Sequence, residues 1–266
     1  MQSSRVRLML VALLGVFAFA AVAAAAAQAE EAPRWSINGK ILGAGETHFI
    51  TGKIYTTKEN PAFTITIGGT KTITCGAVKL ASGVLLGSSA GNPGISNNEV
   101  IEFFGNCKVT ENGTACKVVE PIVTKPLRSE LTETAQGAKG SLLVELKPET
   151  GNEFTTLNFT GTCIIMSTKV TGELATCIRT DPKNGEPGEL ITLESPKKEA
   201  TSWLLEVGPE VTSFWLIRGG MGEQVEIPPA KRLLAFAKDV TLKGLTLILL
   251  ADKNGKSEET NWSPLP

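Results

Sequence analysis

The sequence predicts an all-β fold: an antiparallel sandwich or barrel-like domain, stabilised by disulfides, with at most one short helix. Three observations carry that prediction. Runs of alternating apolar and polar residues recur along the chain, turn residues separate them, and five Cys follow an export signal. Period-two alternation sets one face of a strand on a core and the other in water. The abundant Thr suits such a half-wet pleated surface.

Taken in order, the first 29 residues read as an address. Arg5 and Arg7 precede an apolar stretch over residues 8–27, and Ala27-Gln28-Ala29 then offers a small-x-small cleavage site before Glu30-Glu31. The alternative is a retained anchor, since about 20 apolar residues can span a bilayer. Cleavage would remove Arg5 and Arg7 and no acid, making a chain of formal charge −1 mildly acidic. No later apolar run is long enough to cross as a helix, so no membrane span is expected after cleavage.

In the mature chain, residues 63–67 and 71–75 alternate Ile or Phe with Thr around Gly68-Gly69 and read as a hairpin. The habit repeats at 99–104, 117–124, 141–146, 154–160, 203–207, 211–217, 224–227 and 240–250. Asn112-Gly113, Gly219-Gly220 and Asn254-Gly255 are among the turns between them. The one helix expected spans residues 228–238, where Ala230, Leu233, Leu234 and Ala237 fall at i, i+3, i+4 and i+7. The polar, Pro-containing residues 181–201 divide a β-rich domain over 30–195 from a C-terminal β subdomain over 196–266, with a loop inside one domain as the alternative.

In an oxidising compartment, Cys75, Cys107, Cys116, Cys163 and Cys177 are disulfide candidates, and none forms a Cys-x-x-Cys pair. Cys107 and Cys116 flank the turn at Asn112-Gly113, which predicts a bridge between them. Cys163 then pairs with Cys177, following an internal echo (Phe104-Gly105-Asn106-Cys107 against Phe159-Thr160-Gly161-Thr162-Cys163), or with Cys75.

Composition excludes several functions. A near-neutral balance of 26 basic and 27 acidic residues lacks the basic face of a general nucleic-acid binder. One His excludes any site needing two. Gly87-Ser88-Ser89-Ala90-Gly91 matches a nucleophile elbow, but Asn92-Pro93-Gly94 follows where a helix must start, and His48 precedes the Ser. It reads as a turn. So does Asp252-Lys253-Asn254-Gly255, where Lys256 spoils a calcium loop. No catalytic, metal or cofactor site is expected. The glutamates read as a solvated surface. Trp203 and Trp215 are possible ligand-facing aromatics, although both lie in apolar runs that favour core burial.

The run Cys116-Lys117-Val118-Val119-Glu120-Pro121-Ile122, residues 126–131 and 147–157, Lys169-Val170-Thr171-Gly172 and Trp35-Ser36-Ile37-Asn38-Gly39 together resemble a group of secreted actinobacterial proteins of unassigned function. The likeness covers most of residues 35–172. It implies bridges within Cys75, Cys107, Cys116 and Cys163, with Cys177 as the odd thiol. No catalytic residue or ligand carries over. The functional expectation is an exported, non-enzymatic protein of the cell surface or extracellular space, binding a cell-wall glycan or another surface protein. The alternative is an extracellular carboxylate-dependent glycan hydrolase.

Overall fold

The computed structural model describes residues 32–58, 60–110, 115–133, 141–180, 188–191, 199–207, 213–218, 221–226 and 233–265, with 213–218, 221–226 and 265 described by backbone alone. The export signal expected over residues 1–29 lies outside the described residues. Every regular element among them is a strand, numbered β1 to β21 in chain order, so the all-β prediction holds.

Eight strands close an antiparallel barrel and follow one another in chain order around it. They are β3 (Thr47–Tyr55), β6 (Ala77–Leu86), β7 (Ile95–Phe104), β11 (Leu127–Glu133), β12 (Leu142–Pro148), β15 (Leu174–Arg179), β16 (Ser202–Val207) and β20 (Lys238–Ala251). The ring closes where β20 pairs back onto β3, from Leu245↔Tyr55 to Ala251↔Phe49. Full closure leaves no unpaired edge in the ring. The boundary drawn near residue 195 falls between β15 and β16, which are neighbours in this barrel.

The remaining strands are excursions from the barrel. At one end, alternate connections form hairpins: β4 (Phe63–Ile67) with β5 (Lys71–Cys75), then β8 (Lys108–Thr110) with β9 (Cys116–Val118), and β13 (Glu153–Gly161) with β14 (Ser167–Thr171). The short β19 (Leu234–Ala235) joins them. These strands and the first half of β20 make a second, looser circuit stacked on the barrel. β10 (Ile122–Val123) pairs with β7, and the β17 (Ser213–Arg218) and β18 (Met221–Glu226) hairpin touches β11 at Glu133. In β4 the expected alternation is literal: Phe63, Ile65 and Ile67 are buried between half-exposed Thr64 and Thr66.

β20 serves both circuits because it bends at Gly244, between its pairing with β4 (Val240–Lys243) and with β3 (Leu245–Ala251). The Phe63 ring lies against that glycine, and a Cβ there would sit 2.3 Å from Phe63 Cδ2. Only Gly allows the strand to turn under the ring.

At the opposite end, β1 (Arg34–Ile37) pairs with β2 (Lys40–Ile41) and with β21 (Trp262–Leu265), forming a small sheet across the mouth. Trp35 and Trp262 meet there with ring centroids 5.8 Å apart.

Two expectations are corrected. Within the predicted helix, residues 228–232 lie outside the described residues, while Leu234 and Ala235 pair with Asp239 and Lys238 as a hairpin. Its turn is made by Phe236 and Ala237 at φ 55° and 58°. Neither residue advertises left-handed geometry, so the turn was hidden behind an i, i+3, i+4 pattern. The disulfides are Cys75–Cys107 and Cys116–Cys163, not Cys107–Cys116. Proximity across a hairpin loses to tertiary placement: Cys75 ends β5 and Cys107 precedes β8, its neighbour, while Cys116 opens β9 opposite Gly161 of β13. Cys177 is free and buried, as the resemblance implied.

A candidate ligand cavity inside the barrel

The inward side chains do not fill the barrel. They leave a cavity of about 60 Å³ open to the centre of a water-sized sphere, within about 840 Å³ of free space between wall atoms, mouth included. The walls are mostly aliphatic and aromatic. One end is stopped by Trp35, Trp203 and Trp262, locked by indole N–H groups donating to carbonyls: Trp35 to Ile95 O at 3.1 Å, Trp203 to Trp262 O at 2.8 Å, and Trp262 to Thr201 O at 3.3 Å. The other end is floored by Phe63 and Phe103, whose centroids lie 5.0 Å apart.

One ionisable side chain lines this cavity among the described residues: Glu99 of β7. Strict alternation from Ser96 would turn Glu99 outward. It faces in because β7 carries a bulge. Against β11, Ser96 pairs with Ser129 and Glu99 with Leu127, so three steps on β7 match two on β11. The extra residue is absorbed at Asn98, at φ 56°, a left-handed value that Asn tolerates better than most residues. The bulge is held from outside, where the Ser82 hydroxyl donates to Asn98 O at 2.8 Å and the Asn98 N–H donates to the Glu149 carboxylate. β6 makes room opposite: a Cβ on Gly83 would lie 2.7 Å from Ile50 Cγ1 and 3.2 Å from Glu99 Cγ.

Glu99, Ser96 and Ser129 form a buried polar triangle. Ser129 Oγ donates to Glu99 Oε1 at 3.0 Å, Ser96 Oγ donates to the same oxygen, and the two hydroxyls contact each other. Three contacts need three protons for a complete circuit, and two serines supply only two. A protonated Glu99 supplies the third: Oε1–H to one hydroxyl, that hydroxyl to the other, and the second back to Oε1. Burial also disfavours the carboxylate and, despite both hydroxyl contacts, pushes Glu99 up to about 7. Both serines sit on Oε1, and Oε2 has no hydrogen-bond partner among the described residues.

The structure places the sequence candidates as follows. Trp203 is buried and lines the cavity, so core and ligand-facing readings meet in one residue. Trp215 sits on β17, opposite Gln224 and Glu133, and its side chain lies outside the described residues. In the Gly-x-Ser-x-Gly match, a Cβ on Gly87 would stand 1.8 Å from Gly43 O, Ser88 Oγ donates to Asn92 O at 2.9 Å, and Ser89 Oγ accepts from Asn92 Nδ2 at 3.0 Å. Those are the contacts of a turn. Asp252 Oδ1 accepts from the N–H groups of Asn254 and Lys256 at 2.8 and 3.0 Å, which closes its own turn. His48 pairs with Leu85 between strands, and no group of three metal-ligating side chains occurs among the described residues.

The reading of the glutamates as solvated is corrected for Glu99, Glu130, Glu133 and Glu145, all buried. Glu130 and Glu145 are register partners on β11 and β12, and Lys147 Nζ holds Glu145 Oε2 at 2.9 Å. The carboxyl that matters was missed because a bulge inverted its side. Asn97-Asn98 inside an otherwise β-like run was the signal that could have marked it.

A scan against protein-family models, a search of curated proteins and a search of solved structures each found no match to this chain.

Proposed function

We propose that this is an exported, non-enzymatic binding protein whose barrel interior holds a small, mostly apolar molecule. The cavity carries this reading: a closed barrel, an apolar wall and one buried carboxyl with an unpartnered oxygen. Stability alone would favour filling the space and replacing a buried acid. Both features serve a ligand that needs apolar burial and one polar anchor. Eight strands give an interior of about the size that holds one small ligand.

Export is supported by the leader over residues 1–29 and by two disulfides. Polarity adds to it: Lys53 and Lys79 are exposed on β3 and β6 while the interior is apolar, the reverse of a membrane-spanning barrel. A glycan chain fits the cavity poorly, because its hydroxyls would be desolvated against apolar walls. Hydrolysis by paired carboxylates is less well supported, since Glu99 is the one carboxyl among the described lining residues.

The test is titration of the purified mature protein with N-phenylnaphthylamine, a dye that brightens in apolar surroundings. Saturable binding near one site per chain is expected, with energy transfer from the tryptophans at the mouth. Absence of saturable binding would overturn the reading.

A further inference from the structure

We propose that the ligand is a lipophilic amine whose ammonium group pairs with Glu99, an inference that rests on the barrel interior being a binding site. The wall discriminates between head groups. No Lys, Arg or His lines it among the described residues, so a lipophilic carboxylate or phosphate would meet a carboxyl and no cation. An ammonium meets a ready partner. The two serines donate to Oε1 and stabilise the carboxylate there, while Oε2 remains for a donor from the ligand. The indoles of Trp35, Trp203 and Trp262 add aromatic surface that favours a cation over an anion.

Protons balance simply. Without ligand, the triangle of Glu99, Ser96 and Ser129 is complete when Glu99 is protonated. An entering ammonium donates to Oε2, the Glu99 proton leaves to solvent, and the hydroxyl that had accepted that proton turns its own O–H onto Oε1, so that both serines then donate there. A neutral alcohol can donate one hydrogen bond but offsets no buried charge.

The charges around Glu99 leave the pH response to this residue. β6 presents Gly83 and Leu85 to it, β3 presents Ile50, and β11 presents Leu127 and Ser129. Glu149, bonded to Asn98 on the outer side of the bulge, is the neighbouring carboxylate that opposes Glu99 ionisation.

The experiment is displacement of N-phenylnaphthylamine from the mature protein by decylamine, decanol and decanoate, at pH 5, 6, 7 and 8. At pH 8, decylamine should displace at a concentration at least about tenfold below that of decanol, with decanoate weakest. Between pH 7 and pH 5 the decylamine affinity should fall by about tenfold per unit, because its binding must expel a proton, while decanol affinity stays nearly constant. Glu99→Gln should bring amine and alcohol within about threefold and flatten the pH response. Equal amine and alcohol affinities in the wild-type protein at pH 8, or an amine preference that survives Glu99→Gln, would overturn the amine assignment while leaving the binding role intact. Failure of the dye itself to bind would remove both. The wild-type pH series decides the matter even if the variant does not fold.

Discussion

Replacing Glu99 by Gln separates the cost of this buried acid from every other pH effect in the molecule. Burial pushes the Glu99 carboxyl up from its ordinary value of 4.5 to about 7 in the fold. Below pH 4.5 the group is protonated in both states and imposes no ionisation cost. As pH rises, the unfolded chain loses the proton first, so the native state holds more protons and stability falls. Above about 7 the loss is complete. At 1.36 kcal/mol per unit, the separation corresponds to about 3 kcal/mol, of which about 2–3 kcal/mol falls between pH 5 and 8. Gln is close to isosteric and cannot titrate. Urea unfolding of both proteins at pH 5, 6, 7 and 8 should therefore show the wild type losing stability relative to Glu99→Gln by about that amount across the range. Other carboxylates titrate in both proteins and cancel in the difference. Parallel profiles over pH 5–8 would refute the argument that a desolvated Glu99 governs this site.

Gly83→Ala should destabilise by about 1–3 kcal/mol, because the added methyl would lie 2.7 Å from Ile50 Cγ1; denaturant midpoints measure this, and dye binding should weaken with it as Glu99 is displaced. Cys116→Ala with Cys163→Ala removes a bridge across a sequence separation of 47, which chain entropy values at up to about 4 kcal/mol; thermal unfolding tests the loss. Peptide mapping without reductant should recover Cys75 joined to Cys107 and Cys116 joined to Cys163. Cys177 should react slowly with a thiol reagent until the protein unfolds, since burial first and Glu206 second push its thiol pKa up.

The hairpin about Gly68-Gly69 was legible because two local signals agree there. Ile and Thr alternate on both arms, and both glycines adopt left-handed φ values of 58° and 69°. The turn at Phe236-Ala237 was not legible, since those residues enter the same region only because β19 and β20 pair around them. Cys177 was separated from the four framework cysteines by a resemblance, whereas the pairing among those four depends on which hairpins stack at the end of the barrel.

By itself, the sequence determined the strand periodicity, the punctuation by turns and the absence of any two-histidine site. These are local properties, set by alternation, backbone preference and composition. Tertiary structure alone decided that the sheet closes into a barrel rather than two facing layers, because closure depends on β20 pairing with β3 across most of the chain. It also decided that the space inside is left partly unfilled. Above all, it decided the side on which Glu99 emerges. In a strand each residue added reverses the face of every residue beyond it, and the bulge at Asn98 is registered against β11, whose position no local pattern specifies.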